Sequence, residues 1–325
     1  TIIDGTGLAD YTIYYKKSGI IKNFFIHGRG ESVFTSRIIY SDVLSNLLYV
    51  YNCRLESAGV GIGMPGGDLI AENVIITGTT RGINLFGSIL NKVSSCIIIT
   101  DNEDAQGINV GFAGSVEYEI NNNIMLFTGD QFTNSESGIT AMQPHRISIY
   151  NNLISGFQEN IWLTHPEDID TTRVINNVLS NQPGGWGSLF ITSGKMLANN
   201  NILNSNHTAI YTGTGGSAIS NYNLFWENLL NYNNVTPGES DIVADPMFVN
   251  DTIPSANGSY DFHLQKYSPA IDKGNPDILD VDGSRSDIGI FGGPLGQKYT
   301  YQDLAPRPPG NLTATMDSGL VHLKW

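Results

Sequence analysis

The sequence predicts an all-β solenoid, and three observations carry that prediction. One short phrase recurs as Asn122-Asn123-Ile124, Asn151-Asn152-Leu153, Asn176-Asn177-Val178 and Asn200-Asn201-Ile202. Each phrase sits between two short alternating apolar runs, the pattern of a strand, a tight bend and another strand. Asn23, Asn52, Asn73, Ser95 and Asn223 extend the same slot, with spacings of 29, 21, 22, 28, 29, 25, 24 and 22 residues. Periods of that size belong to stacked repeats. Finally, 36 Gly and only 15% charged residues fit a turn-dense β chain, and no long helical pattern appears.

In chain order, residues 1–3, 11–15, 20–26, 37–40 and 47–55 alternate or run apolar between Gly, Ser and Asn breaks and read as the strands of the first turns. Thr1 begins inside such a rung, so a leader and an N-terminal cap are expected upstream. From Asn52 to Trp226 each coil reads as a strand ending at the Asn slot, a strand after it, a loop of variable length and a third strand. Asn suits the slot because it tolerates the left-handed conformation of a sharp bend and its amide both donates and accepts along a stack. These Asn therefore read as structural. Cys53 and Cys96 each follow the slot, with the rung of Val74 between them. Two rungs are roughly 9.6 Å, too far for a disulfide, and both cysteines read as small buried hydrophobes.

The third strands align from Gly59-Val60-Gly61-Ile62-Gly63 through Gly82-Ile83-Asn84, Gly107-Ile108-Asn109, Gly138-Ile139-Thr140, Asn160-Ile161-Trp162 and Ser188-Leu189-Phe190 to Ala209-Ile210-Tyr211. With a period of two, the second and fourth residues face the core and the third and fifth face out. Gly61, Asn84, Asn109, Thr140, Trp162, Phe190 and Tyr211 make one outward row. Three short strands per coil with an Asn-bearing bend resembles the right-handed parallel β-helix of the pectate-lyase-like superfamily, over residues 1 to about 230. That resemblance implies a fold shared by lyases, hydrolases, epimerases and non-catalytic adhesins. It also implies a substrate groove over the outward face of the third strands.

Past Trp226 the rhythm stops. Asp245-Pro246-Met247-Phe248, Asp261-Phe262-His263-Leu264, Ser268-Pro269-Ala270-Ile271-Asp272 and the run from Asp282 to Gly289 look like the C-terminal tail of many secreted bacterial β-helix proteins. Residues 231–302 are expected to cover the last coil and hide its open strand edges. Pro306-Arg307-Pro308-Pro309 reads as a linker. Within 303–325, Gly310-Asn311-Leu312-Thr313-Ala314-Thr315 and the segment from Gly319 to Trp325 are similar to the first two strands of a fibronectin type III domain, which implies a longer modular parent, outside the cell or on its surface.

Thirty-one acidic against 17 basic residues give a net charge of −14. That charge repels nucleic acid and anionic membranes, and no apolar run is long enough to span a bilayer. It also opposes an anionic polysaccharide unless a divalent cation bridges the two. Calcium is therefore the one cofactor considered, with Asp101, Glu103, Asp104 and Asp130 on the variable-loop side and Asp280 and Asp282 in the tail as candidate ligands.

The outward rows hold no acid, Lys or Arg. Asn-Thr-Asp, Asp-Asp and Gly-His-Gly are absent from the chain as well, so the usual lyase and polygalacturonase sets are missing. At the far edge His145, His165 and Glu167 follow successive third strands, and a His beside a carboxylate is a candidate general base. Trp162, Phe190 and Tyr211 point outward on successive coils and, with Asn84 and Asn109, form the candidate substrate face. The row either stacks on sugar rings or is covered by a loop or the tail. Three functions stay open: an extracellular module that binds polysaccharide or a cell-surface glycan or acts as a surface or adhesive module, placed ahead; a polysaccharide lyase or glycoside hydrolase with a non-standard site; and a purely structural fibre or envelope component, for which other copies of the chain are the expected partners.

Overall fold

A computed structural model describes residues 1–7, 10–30, 35–44, 46–86, 89–111, 117–130, 136–143, 146–164, 171–252, 260–305 and 313–324. Parallel strands stack coil on coil into a parallel β-helix, and the described residues contain no helix. The stacking is read directly from the register. In the strand after the bend, Phe25, Arg54, Ile75, Ile97, Ile124, Leu153, Val178, Ile202, Leu224 and Ile242 align in one column. Expected runs 20–26 and 47–55 each split at the bend, into Gly19–Lys22 and Phe25–His27, and into Leu47–Tyr51 and the long strand Arg54–Met64. Parallel pairing continues beyond Trp226: Leu230–Asn233 pairs with the strand below it, as does Ile242–Val243. Inside, Leu, Ile and Val stack from Ile21 to Phe225 in one continuous core. Cys53 and Cys96 are free and buried within it, and burial pushes the Cys96 thiol up to about 12.

The recurring Asn phrase divides its labour between two residues, and this corrects the single slot read from the sequence. The first residue of each phrase makes the bend: Asn23, Asn52, Asn73, Ser95, Asn122, Asn151, Asn176 and Asn200 all have φ between 52° and 59°. The second residue points inward. Asn123, Asn152, Asn177, Asn201 and Asn223 are at most 1% exposed, and each passes its backbone N–H and side-chain amide to the Oδ1 of the next, as Asn152 does to Asn177 at 2.9 and 3.0 Å. In the earlier coils that inner position holds Cys53, Val74 and Cys96, so the ladder starts where Asn123 accepts the Cys96 N–H. The slot as first read slips by one residue between Ser95 and Asn123.

The described tail runs back along the side of the helix. Phe248, Phe262, Leu264, Ala270 and Ile288 pack on Leu153, Val178, Ile202 and Leu224 to form a second core. The outer Asn of each phrase ties it down. Asn122 donates to the Leu295 carbonyl at 2.9 Å, Asn151 to Ile290 and Gly292 at 2.9 and 2.7 Å, and Asn176 to Asp287 at 2.9 Å. An amide at a left-handed bend lies at the corner of the coil, where it meets carbonyls that would otherwise be buried unpaired. Thr313–Asp317 and Leu320–Lys324 form an antiparallel hairpin whose described side chains are all exposed.

Candidate functional site

The outward face of the third strands is built on a column of glycines. A Cβ on Gly61, Gly82, Gly107 or Gly138 would lie 2.5–2.6 Å from the carbonyl oxygen of the next coil. Each third strand can therefore start only without a side chain at that place, until Asn160 takes it over. Beyond the glycines, Ile83, Leu85, Ile108, Val110, Ile139, Ala141, Ile161, Leu163, Leu189 and Ile191 are fully buried, and the residues between them face out.

Register gives the outward row as Tyr14, Tyr40, Gly63, Asn84, Asn109, Thr140, Trp162, Phe190 and Tyr211. It agrees with the sequence reading from Asn84 onward and corrects its first member: Gly63, not Gly61, stands beside Asn84. The centre of the row is polar. The Asn109 amide donates to Asn84 Oδ1 at 2.7 Å, and Thr140 is 2% exposed.

The three expected aromatics stack. Phe190 lies 5.0 Å from Tyr211 at an interplanar angle of 6°, and 6.2 Å from Trp162 at 28°. A fourth ring, unforeseen in the sequence, completes the group. Trp186, from the loop before Leu189, lies nearly parallel to Phe190 (5.8 Å, 16°) and Tyr211 (5.9 Å, 17°) and is 59% exposed, while Phe190 is 4% exposed. Among the described residues the row is thus partly covered by an aromatic ring, while the tail packs on the strands after the bend. The signal for Trp186 in the sequence was a Trp between glycines, Gly185-Trp186-Gly187, in a loop with no apolar periodicity.

Two carboxylates are buried at the start of the third strands, one of them against the Trp186 loop. Glu159 and Glu136 come from adjacent coils and are 2% and 0% exposed. Glu159 Oε1 accepts the Trp186 N–H at 3.2 Å, and Glu136 Oε1 accepts the Asp104 N–H at 3.2 Å. Burial, opposed by the Trp186 hydrogen bond and reinforced by Glu136, pushes the Glu159 carboxyl up to about 7. Each carboxylate clips a loop to the helix wall.

The remaining expected site residues fall elsewhere. His145, His165 and Glu167 lie outside the described residues. Asp101, Glu103, Asp104 and Asp130 are exposed on the variable-loop side. Among the described residues no three His, Cys, Asp or Glu come close enough to hold a metal ion. Asp280 accepts backbone N–H groups of Gly293 and Asp287, and Asp282 accepts both the N–H and the hydroxyl of Ser284, so each is engaged in a turn of the tail. Asn206, which stands in an Asn-X-Thr sequon, is 2% exposed and bonded to Asn228 in a further amide ladder, so it is closed to glycosylation in the folded chain.

No family model matches the chain, and no curated protein matches it. Among solved structures it is similar to the crystal structure of pectate lyase Pel9A, with a TM-score of 0.60, 17% identity, and coverage of 89% of this chain and 84% of that one. The likeness is one of fold.

Proposed function

We propose that the chain binds neutral polysaccharide along the outward face of its third strands, with Trp186, Tyr211 and Trp162 as the sugar-stacking plate and the buried Phe190 as its support. The carrying observation is the nearly parallel packing of Trp186 beside Phe190 and Tyr211, with Trp186 itself 59% exposed. A Trp aligned with two neighbouring rings and tied by the Glu159 clip on its own backbone presents apolar surface with little entropy left to lose on binding. Sugar rings offer a matching flat face of C–H groups.

Charge selects among polysaccharides. At −14 the chain disfavours an acidic polymer, and the described carboxylates offer no metal bridge. A neutral chain meets neither obstacle. The reading goes with a place outside the cell or on its surface, where such polymers are encountered, and the fold shared with a pectate lyase is in keeping with it.

The test is affinity electrophoresis in gels containing xylan, galactan or glucomannan, with polygalacturonate and alginate as acidic controls, each with and without calcium. Retention by at least one neutral polymer, lost in Trp186→Ala and Tyr211→Ala variants with unchanged circular dichroism, is the expected result. Retention by the acidic polymers alone, new reducing ends or unsaturated product from any polymer, or retention that ignores both substitutions would overturn it.

A further inference from the structure

A second aromatic plate lies at the opposite end of the same outward row. Tyr14 and Tyr40 are its first members in register, and their rings stack at 5.8 Å and 26°. Tyr11 joins them, 6.0 Å and 15° from Tyr40 and 4.8 Å from Tyr14. The Arg37 guanidinium lies 4.4 Å from the Tyr40 ring, the Lys16 amine 5.0 Å from the Tyr14 ring, and the Tyr14 hydroxyl donates to Asp42. Gly63 makes room. A Cβ there would press within 3.2 Å of the Tyr40 ring and 3.5 Å of the Arg37 side chain.

The geometry has two features that an incidental surface cluster lacks. It continues the row that carries Trp162, Phe190 and Tyr211, five rungs from Tyr40 to Trp162, or roughly 24 Å at about 4.8 Å per rung. It also stands where basic side chains are most concentrated: residues 1–60 hold six basic and five acidic side chains, the rest eleven and twenty-six. Guanidinium and ammonium groups beside flat rings both fix the rings and offer N–H donors to sugar hydroxyls.

We propose that Tyr11, Tyr14 and Tyr40, with Arg37 and Lys16, form a second sugar-binding plate, and that one neutral polysaccharide chain engages both plates along the helix axis. This rests on the reading of the Trp186 plate as a sugar site. Two weak plates on one rigid scaffold bind a long chain far more tightly than either alone, because the second contact is intramolecular. A disaccharide reaches only one plate and gains nothing from the other.

The test uses xylan, galactan and glucomannan, each as polymer and as its disaccharide, on the whole chain and on a Tyr14→Ala/Tyr40→Ala variant. The variant is expected to lose tenfold or more of the polymer affinity, while the disaccharide-induced change in tryptophan fluorescence, which reports the Trp186 plate, keeps its midpoint. Hydroxyl-radical footprinting of the unmodified chain is the companion measurement, independent of any variant's folding. A retained polymer should protect Tyr11, Tyr14 and Tyr40 together with Trp186 and Tyr211. Unprotected tyrosines, or unchanged polymer affinity in the double variant while Trp186→Ala abolishes it, would remove the second plate and leave the first. No binding of any neutral polymer by the unmodified chain would remove both.

Discussion

Asp241 ends the amide ladder by standing in for the next Asn above Asn223: its Oδ1 accepts both the backbone N–H of Asn223 at 2.8 Å and its side-chain amide at 3.2 Å. A carboxylate belongs there because the other oxygen, Oδ2, accepts three donors, the Ser220 and Tyr232 hydroxyls and the Gly238 N–H. An amide would turn its own N–H group toward those donors. Asp241→Asn should therefore lower stability by about 1–3 kcal/mol, since a fixed backbone donor loses its acceptor. A urea midpoint equal to that of the parent would refute the assignment.

The glycine column gives a second prediction. Gly107→Ala puts a methyl 2.5 Å from the Gly138 carbonyl, where backbone must move to admit it. Forced expansion of a packed site typically costs about 1–3 kcal/mol. Gly184→Ala, where an added Cβ meets nothing within 4 Å, is the control and should lie within about 0.5 kcal/mol of the parent. Equal thermal midpoints for the two variants would show that the coils relax around the methyl.

Asn151 and Asn152 are neighbours with opposite duties. Asn151→Gly keeps the left-handed bend at φ 53° but removes both bonds to the tail, so limited proteolysis should nick the tail near residues 286–296 sooner while the helix stays intact. Asn152→Ala removes a fully buried ladder member, bonded to the Asn177 amide and to the Ile120 and Tyr150 carbonyls, and should lower global stability by several times more. Matching proteolysis patterns for the two variants would dissolve the distinction.

That pair also shows how far the sequence could be read. Repetition and alternation are properties of single strands, so the stacking of coils and the inward face of Ile108 or Ile161 were legible. A shift of two residues leaves sidedness intact, which is why Gly61 passed for Gly63 without disturbing the hydrophobic pattern. The one-residue slip between Ser95 and Asn123 escaped for another reason: bend and ladder both select Asn, and only the positive φ of Asn122 and the burial of Asn123 tell them apart. Trp186 was illegible as a stacking residue because a loop has no period to place it. The same holds for the path of the tail, which depends on carbonyls such as those of Ile290 and Leu295, and carbonyls carry no sequence signal.

The Glu159 clip makes stability depend on pH with a definite sign. Its carboxyl is held near pH 7 in the folded chain against 4.5 for an unperturbed glutamate, with burial the main cause. Between those values the folded state holds the proton that the unfolded state has given up. Stability from this group is therefore full below about pH 4.5 and falls as pH rises through 7, by about 3 kcal/mol at most. Asp280, pushed by burial up to about 6, adds loss of the same sign over a lower window. Glu159→Gln keeps an oxygen for the Trp186 N–H and carries no charge, so the variant should match the parent near pH 4.5, exceed it at pH 8, and hold Trp186 fluorescence constant between them. If parent and variant show the same decline from pH 6 to 8, the carboxylate against the Trp186 loop is not the group that titrates.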